Sequence, residues 1–270
     1  MTTAVPSTCL CGATAAALVQ RGVRHDPGLE VHRCASCGLV YLWPRPTAAE
    51  LDRFYAGPYR RQYPMVADDE LARDSRRRVA ALLPLLRPSS RLVDIGSGSG
   101  AFVKAIRPHA ADAIGIEPDE GGSSDQVDGE FDVVTAFHVL EHVHDPHEFL
   151  RRLSRLLRPD GILVVEVPNV DDALVSTYDI PAYRSFYFTN AHLWYFSPRT
   201  LDGALASAKL DGTVELVQRY DLSNHLVWMQ TGKPGGFGAY PIIAGVDDAY
   251  AQALVAAGVA DTLWVVARPR

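Results

Sequence analysis

The sequence predicts an α/β protein, a doubly wound, mainly parallel sheet covered by helices, preceded by a small cysteine-bound unit. Three observations carry this. From Arg91 onward, short apolar runs alternate with helical patterns, the signature of strand–helix–strand units. A glycine cluster, Gly96-Ser97-Gly98-Ser99-Gly100, stands between one such run and the helix after it. All four cysteines fall within the first 37 of 270 residues. With 47% hydrophobic and 21% charged residues, the composition is that of a folded domain and excludes a disordered or fibrous chain.

The cysteines read Cys9-Leu10-Cys11-Gly12 and Cys34-Ala35-Ser36-Cys37-Gly38. Two pairs about 20 residues apart match a zinc ribbon, in which each pair supplies two thiolates to a tetrahedral ion. A glycine after each pair lets the chain turn beneath the metal. The first pair is one residue shorter than the usual C-x-x-C, so its turn is tighter. Cys9, Cys11, Cys34 and Cys37 are therefore the expected ligands of one structural zinc, with His25 and His32 in reserve. Leu29 to Arg33 alternates as a strand.

Residues 1–46 are read as the ribbon, 47–88 as a helical linker, and 89–270 as the main domain. Thr47-Ala48-Ala49-Glu50 is a capping box opening a short helix toward Phe54-Tyr55. Tyr55, Tyr59 and Tyr63 follow. Asp68 to Leu86 reads as a long amphipathic helix, stopped by Arg87-Pro88. Leu92 to Ile95, Ala113 to Ile116, Phe131 to Ala136 and Ile162 to Val167 are the apolar strands. Ala101 to Ile106 is a helix. Asp145-Pro146-His147-Glu148 opens another that runs to Leu157, with Asp145 as N-cap and proline at the first position. Ser197-Pro198 opens a helix through Ala208, and Val214–Gln218 and Thr262–Ala267 close the sheet.

The glycine cluster lets backbone approach a ligand beside a helix N-terminus. Its G-x-G-x-G spacing differs from the dinucleotide fingerprint. Glu117 ends the second strand, 17 residues after Gly100, where an acid can accept hydrogen bonds from both hydroxyls of a ribose. Leu-Val-Asp-Ile-Gly-Ser-Gly-Ser-Gly at 92–100, Gly-Ile-Glu-Pro at 115–118, Phe-Asp-Val-Val-Thr-Ala-Phe-His-Val-Leu-Glu-His-Val at 131–143 and Leu-Leu-Arg-Pro-Asp-Gly at 156–161 resemble the successive motifs of class I S-adenosylmethionine-dependent methyltransferases. The ribbon is similar to one that precedes such domains in bacterial sugar and natural-product methyltransferases.

The resemblance implies a Rossmann-like sheet with an antiparallel last strand. It implies a place over the cofactor for the 47–88 linker, and cofactor contacts at Asp94, Gly96, Ser97, Gly98, Glu117, Pro118, Phe137, His138 and, from the linker, Tyr63. One departure concerns the third, edge strand. Only 13 residues, 118–130, separate Glu117 from Phe131, whereas a helix, a strand and their turns take about 20. The stretch contains Gly121-Gly122-Ser123-Ser124, so the edge strand is expected to be missing or shortened to a fragment near Gln126-Val127. Asp119 and Asp125 are the remaining adenine-side candidates.

For the chemistry, His142 and His192 are the candidate general bases. His138, Glu141 and His142 would share a face if helical. One alternative is a second divalent metal held by His138, Glu141, His142 and His192; another is that Glu141 and His142 only pack beneath the cofactor. His144 and His147 read as solvated residues at a helix start. Acceptor-pocket insertions are expected near 170–196 and 221–258, with Tyr187, Trp194, Tyr195 and His225 as pocket residues and the glycine-rich 232–238 segment as a cover. The expected function is methyl transfer from S-adenosylmethionine to a small molecule, O-methylation of a sugar or secondary metabolite. The rivals are an RNA methyltransferase gripping its substrate through the ribbon and a degenerate fold serving as a binding module. A net charge of −6 argues against a broad nucleic-acid surface. No window approaches the ~20 apolar residues of a membrane span, and the first residues lack a signal-peptide pattern, so a cytoplasmic address is expected.

Overall fold

A computed structural model of the chain describes residues 8–63, 68–117 and 129–270. The strands are β1 (Ala16–Val23), β2 (Asp26–Cys34), β3 (Val40–Trp43), β4 (Arg91–Ile95), β5 (Asp112–Ile116), β6 (Phe131–Phe137), β7 (Leu157–Pro168), β8 (Trp194–Tyr195), β9 (Leu210–Val217) and β10 (Thr262–Pro269). The helices are α1 (Ala48–Tyr55), α2 (Pro58–Gln62), α3 (Asp68–Leu82), α4 (Ala101–Ile106), α5 (Pro146–Arg155), α6 (Ala173–Ser176), α7 (Pro181–Tyr187), α8 (Pro198–Ser207), α9 (Leu222–Thr231) and α10 (Asp247–Ala256). The chain divides into two compact units.

The ribbon unit comprises Met1–Pro46, Val167–Asp202 and Val214–Trp264. β1 and β2 form a hairpin that turns at Arg24-His25, and β3 pairs antiparallel with β2 so that Val31 faces Leu42. β8 extends the sheet, giving the order β1-β2-β3-β8 with Val40 opposite Tyr195. Val31, Val40 and Leu42 are fully buried. The later segments are joined by buried polar contacts. Asn169 donates to the Ala260 carbonyl at 2.7 Å. Asp172 caps α6 by accepting from the Leu174 amide and also accepts the Tyr183 hydroxyl at 2.6 Å.

The glycine-loop unit comprises Thr47–Glu166, Gly203–Thr213 and Val265–Arg270. β4 runs parallel to β5 on one side and to β6 on the other, and β6 runs parallel to β7. The full order is β5-β4-β6-β7-β10-β9, parallel from β5 through β7, with the antiparallel strands at the β10-β9 end. The chain leaves β4 for β5, then returns to the opposite side at β6. Ligands of open α/β sheets bind at such a reversal, beyond the strand C-termini. The local signals hold: Thr47 and Glu50 form the reciprocal capping box, and the Asp145 carboxylate accepts the Glu148 amide at 2.9 Å.

Three details differ from the sequence reading. α3 ends at Leu82 and passes into a 3-10 turn over Leu83–Leu85, because Pro84 has no N–H to continue the helical ladder. β7 begins at Leu157, not Ile162, since Leu157 pairs with Phe131 across a bulge. His138 to His142 is a turn and not a helix, with His138 at φ +55°. The expectations for the edge strand, Pro118, Asp119 and Asp125 lie outside the described residues. Among the described residues no helix is long and apolar enough to cross a membrane.

Candidate functional site

The loop after β4 is pinned to the end of β5, where the amides of Gly96 and Ser97 both donate to the Ile116 carbonyl at 2.8 and 3.1 Å. Gly96 has φ +78°, and a Cβ there would lie 2.4 Å from Cγ2 of Val139. Both constraints admit only glycine. Gly98 has φ +54° with open space beyond its α-carbon. Its amide donates to Oε2 of Glu117 at 2.5 Å, so the acid ending β5 and the loop after β4 meet at one point. Beneath them Asp94 is buried and accepts the Thr135 hydroxyl at 2.6 Å. Burial pushes its carboxyl up to about 7, against the lowering effects of the Thr135 hydrogen bond and the Arg78 charge.

At the end of β6 the turn brings three expected residues together. His138 Nδ1 lies 3.3 Å from Oε1 of Glu141, and its Nε2 lies 3.1 Å from Oε1 of Glu166. Both ring nitrogens thus face buried carboxylates, which removes His138 from the expected metal set. Glu166, fully buried, also accepts from Arg77 at 2.6 Å and Arg78 at 2.7 and 3.2 Å. His142 Nδ1 stands 3.0 Å from the Tyr55 hydroxyl, and its Nε2 lies 3.9 Å from Glu141. Gly96, Gly98, Glu117, His142, Tyr55 and Tyr59 all line one cavity of about 680 Å³, within the roughly 300–1,000 Å³ of small-molecule sites. His144, expected in solvent, borders the same cavity.

The second site is the cysteine cluster. Sγ of Cys9 lies 3.4 Å from that of Cys37, Sγ of Cys11 lies 3.6 Å from that of Cys34, and all four sulfurs lie within 4.8 Å of one another. Four thiolates at ~2.3 Å from zinc stand ~3.8 Å apart, so the donor set fits the ion. The two turns are alike. Gly12 and Gly38 have φ +83° and +84°, and their amides donate to the carbonyls of Cys9 and Cys34. Burial pushes the Cys9 and Cys37 thiols up, whereas at Cys34 amide hydrogen bonds from Cys37 and Ser36 outweigh burial and bring the thiol down to about 6, so within the cluster the thiolate is held first at Cys34. His32 is bonded instead to Glu30 at 2.9 Å.

Other expected residues have structural places. Phe137 is buried edge-on against Phe102 at 4.9 Å, with Arg78 over its face. Tyr63 stacks on Tyr59. His192 lies in the ribbon unit, in the turn before β8, its ring against Tyr195. The four pocket candidates are buried in that unit: Tyr187 donates to the Asn169 carbonyl, and Tyr195 bonds the backbone of Thr189. Trp194 packs under Arg45, and His225 Nδ1 lies 2.7 Å from the Tyr250 hydroxyl. Burial lowers His225 to about 4. These contacts give them a packing role in place of the expected pocket role. Sequence reasoning passed over Leu51 and Asp52, which also line the cavity, and preferred Tyr63 to Tyr55 and Tyr59, the two tyrosines that line it. The signal was present, since Ala48, Leu51, Asp52 and Tyr55 follow the three- and four-residue spacing of one helix face.

A family described as methyltransferase domain matches residues 60–213. The chain belongs to this methyltransferase family. Among curated relatives it is similar to the ubiquinone biosynthesis O-methyltransferase of Azorhizobium caulinodans, 33% identical over 109 residues, 31% of this chain and 43% of that protein. The same enzyme of Caulobacter vibrioides is 40% identical over 105 residues, 29% of this chain and 40% of that one. The matched segment thus spans less than half the length of these relatives. Among solved structures, a chain of the complex between the Haloferax volcanii Trm112 methyltransferase activator and a methyltransferase superposes with a TM-score of 0.50 at 16% identity, covering 82% of this chain and 98% of that one. S-adenosylmethionine is the cofactor of this methyltransferase fold. The side-chain-free cradle at Gly96 and Gly98, with the Glu117 carboxylate beside it, fits such a group.

Proposed function

We propose that the chain methylates a hydroxyl of a small-molecule acceptor, a sugar or secondary metabolite, with S-adenosylmethionine as donor. When bound, the donor supplies an electrophilic methyl group on a sulfonium, already a good leaving group, so the protein has chiefly to align and deprotonate the acceptor. Gly96, Ser97 and Gly98 would provide the cradle for the donor, and Glu117 would accept hydrogen bonds from its ribose hydroxyls. Asp94, buried at the end of β4 before the loop, accepts the Thr135 hydroxyl of β6. His142 receives the acceptor proton, with Glu141 facing its other nitrogen. α1 forms one wall of the cavity through Leu51, Asp52 and Tyr55.

The observation that carries this reading is that His142 and the glycine–Glu117 cradle line one cavity of small-molecule size. The names of the curated relatives support oxygen as the methylated atom. The test is transfer of a radiolabelled methyl group to a panel of catechols, hydroxybenzoates and nucleotide sugars, with transfer RNA as comparison. Label should enter small molecules and not RNA, and His142→Ala should lower kcat by about 10²–10⁴ while the Kd for S-adenosylhomocysteine stays unchanged. Label entering RNA alone, or a His142→Ala enzyme of full turnover, would reject the proposal.

A further inference from the structure

Tyr55 sits in the last turn of α1, a helix whose start is held by the Thr47–Glu50 capping box. Its side chain is half-buried and lines the cavity together with Gly96, Gly98 and Glu117. Its hydroxyl lies 3.0 Å from Nδ1 of His142, and the two rings meet edge-on at 6.2 Å. Tyr59 packs against Tyr55 at 4.9 Å and against His142 at 6.2 Å, restricting both rings. On the far side of the imidazole, Nε2 lies 3.9 Å from the buried carboxylate of Glu141. The relay requires the tautomer with its hydrogen on Nε2, the nitrogen on the Glu141 side, which leaves Nδ1 as an acceptor for the tyrosine hydroxyl. The Nδ1 lone pair is then directed at Tyr55 and not at open cavity.

We propose that Tyr55 is the group that touches the acceptor hydroxyl and relays its proton to His142. The inference rests on the O-methylation reading above. As the acceptor oxygen forms its bond to the methyl carbon and the carbon–sulfur bond breaks, the acceptor proton passes to Oη of Tyr55. The proton already on Oη moves to Nδ1 of His142. The products are a methyl ether, a neutral thioether and an imidazolium facing Glu141, so charge and atoms balance without another reactant. The chemistry required of the acceptor is a hydroxyl that arrives protonated.

The test uses the full chain, S-adenosylmethionine and a series of catechols and phenols of graded acidity, ending in nitro-substituted members that arrive ionised. Tyr55→Phe should lose two to four orders of magnitude in kcat on the weakly acidic members, approach wild-type rates on the ionised ones, and keep the wild-type Kd for S-adenosylhomocysteine. A loss uniform across the series would mean that Tyr55 only shapes the cavity, and would overturn the relay; so would full activity on the weakly acidic members. Turnover that mild chelation abolishes and magnesium restores would put a cation on His142 and overturn it as well. Failure of the wild type to methylate any member would instead reject the O-methylation reading, and the relay with it. Should Tyr55→Phe not fold, 3-fluorotyrosine at position 55 keeps the ring and the hydrogen bond and should show the same acidity-dependent loss in smaller measure.

Discussion

Replacing Glu166 with glutamine tests how the glycine-loop unit is held together. The carboxylate is fully buried and accepts from two guanidinium groups, Arg77 at 2.6 Å and Arg78 at 2.7 Å, while facing His138 at 3.1 Å. Glutamine preserves volume and one acceptor oxygen but removes the anion. Taking one partner from a buried ion pair costs about 3–5 kcal/mol, because the remaining charge is left uncompensated. Here the arginine side chains keep 24% and 13% of their exposure, so water can reach them in part, and the lower end, about 3 kcal/mol, applies. With a urea m-value of about 2 kcal/mol/M, the midpoint should fall by about 1.5 M. Urea titrations of wild type and Glu166→Gln, followed by circular dichroism with and without S-adenosylhomocysteine, measure this. A shift below about 0.3 M would refute the reasoning: the arginines would then be satisfied by solvent and the carboxylate would be dispensable.

Three further outcomes are expected. Gly96→Ala must accept a left-handed backbone, costing about 1–2 kcal/mol, and a Cβ 2.4 Å from Val139, so calorimetry should show S-adenosylhomocysteine binding weakened at least about tenfold; unchanged affinity would separate the loop from the cofactor. Asp94 carries a carboxyl raised to about 7 from 3.8 when unfolded. The folded state therefore holds a proton that the unfolded state releases, and stability falls as pH climbs from about 4 to 7, by a few kcal/mol at most. Melting curves at pH 5 and 8 should show this loss, and Asp94→Asn should flatten it. Elemental analysis should find one zinc per chain; Cys34→Ser should lose it and lower the melting temperature, and full zinc retention by that variant would remove Cys34 from the ligand set.

What the sequence determined by itself is local. The two cysteine turns, the Asp145 cap, the Thr47–Glu50 box and the glycine loop each lie within a few residues, and side chains that near in sequence dictate backbone geometry directly. The alternation of apolar runs with helices settled the parallel sheet for the same reason, because burial on both faces of a strand is written into the strand. Only the tertiary structure decided the partners. Arg77 and Arg78 reach Glu166 across 89 and 88 positions, and Tyr55 reaches His142 across 87. No periodicity encodes such a meeting, which depends on how α3 and α1 lie over the sheet. Burial is likewise a property of the assembled chain. An aromatic run at 187–195 reads the same whether it lines a pocket or fills a core, and pairing of Tyr195 with Val40 put it in the core.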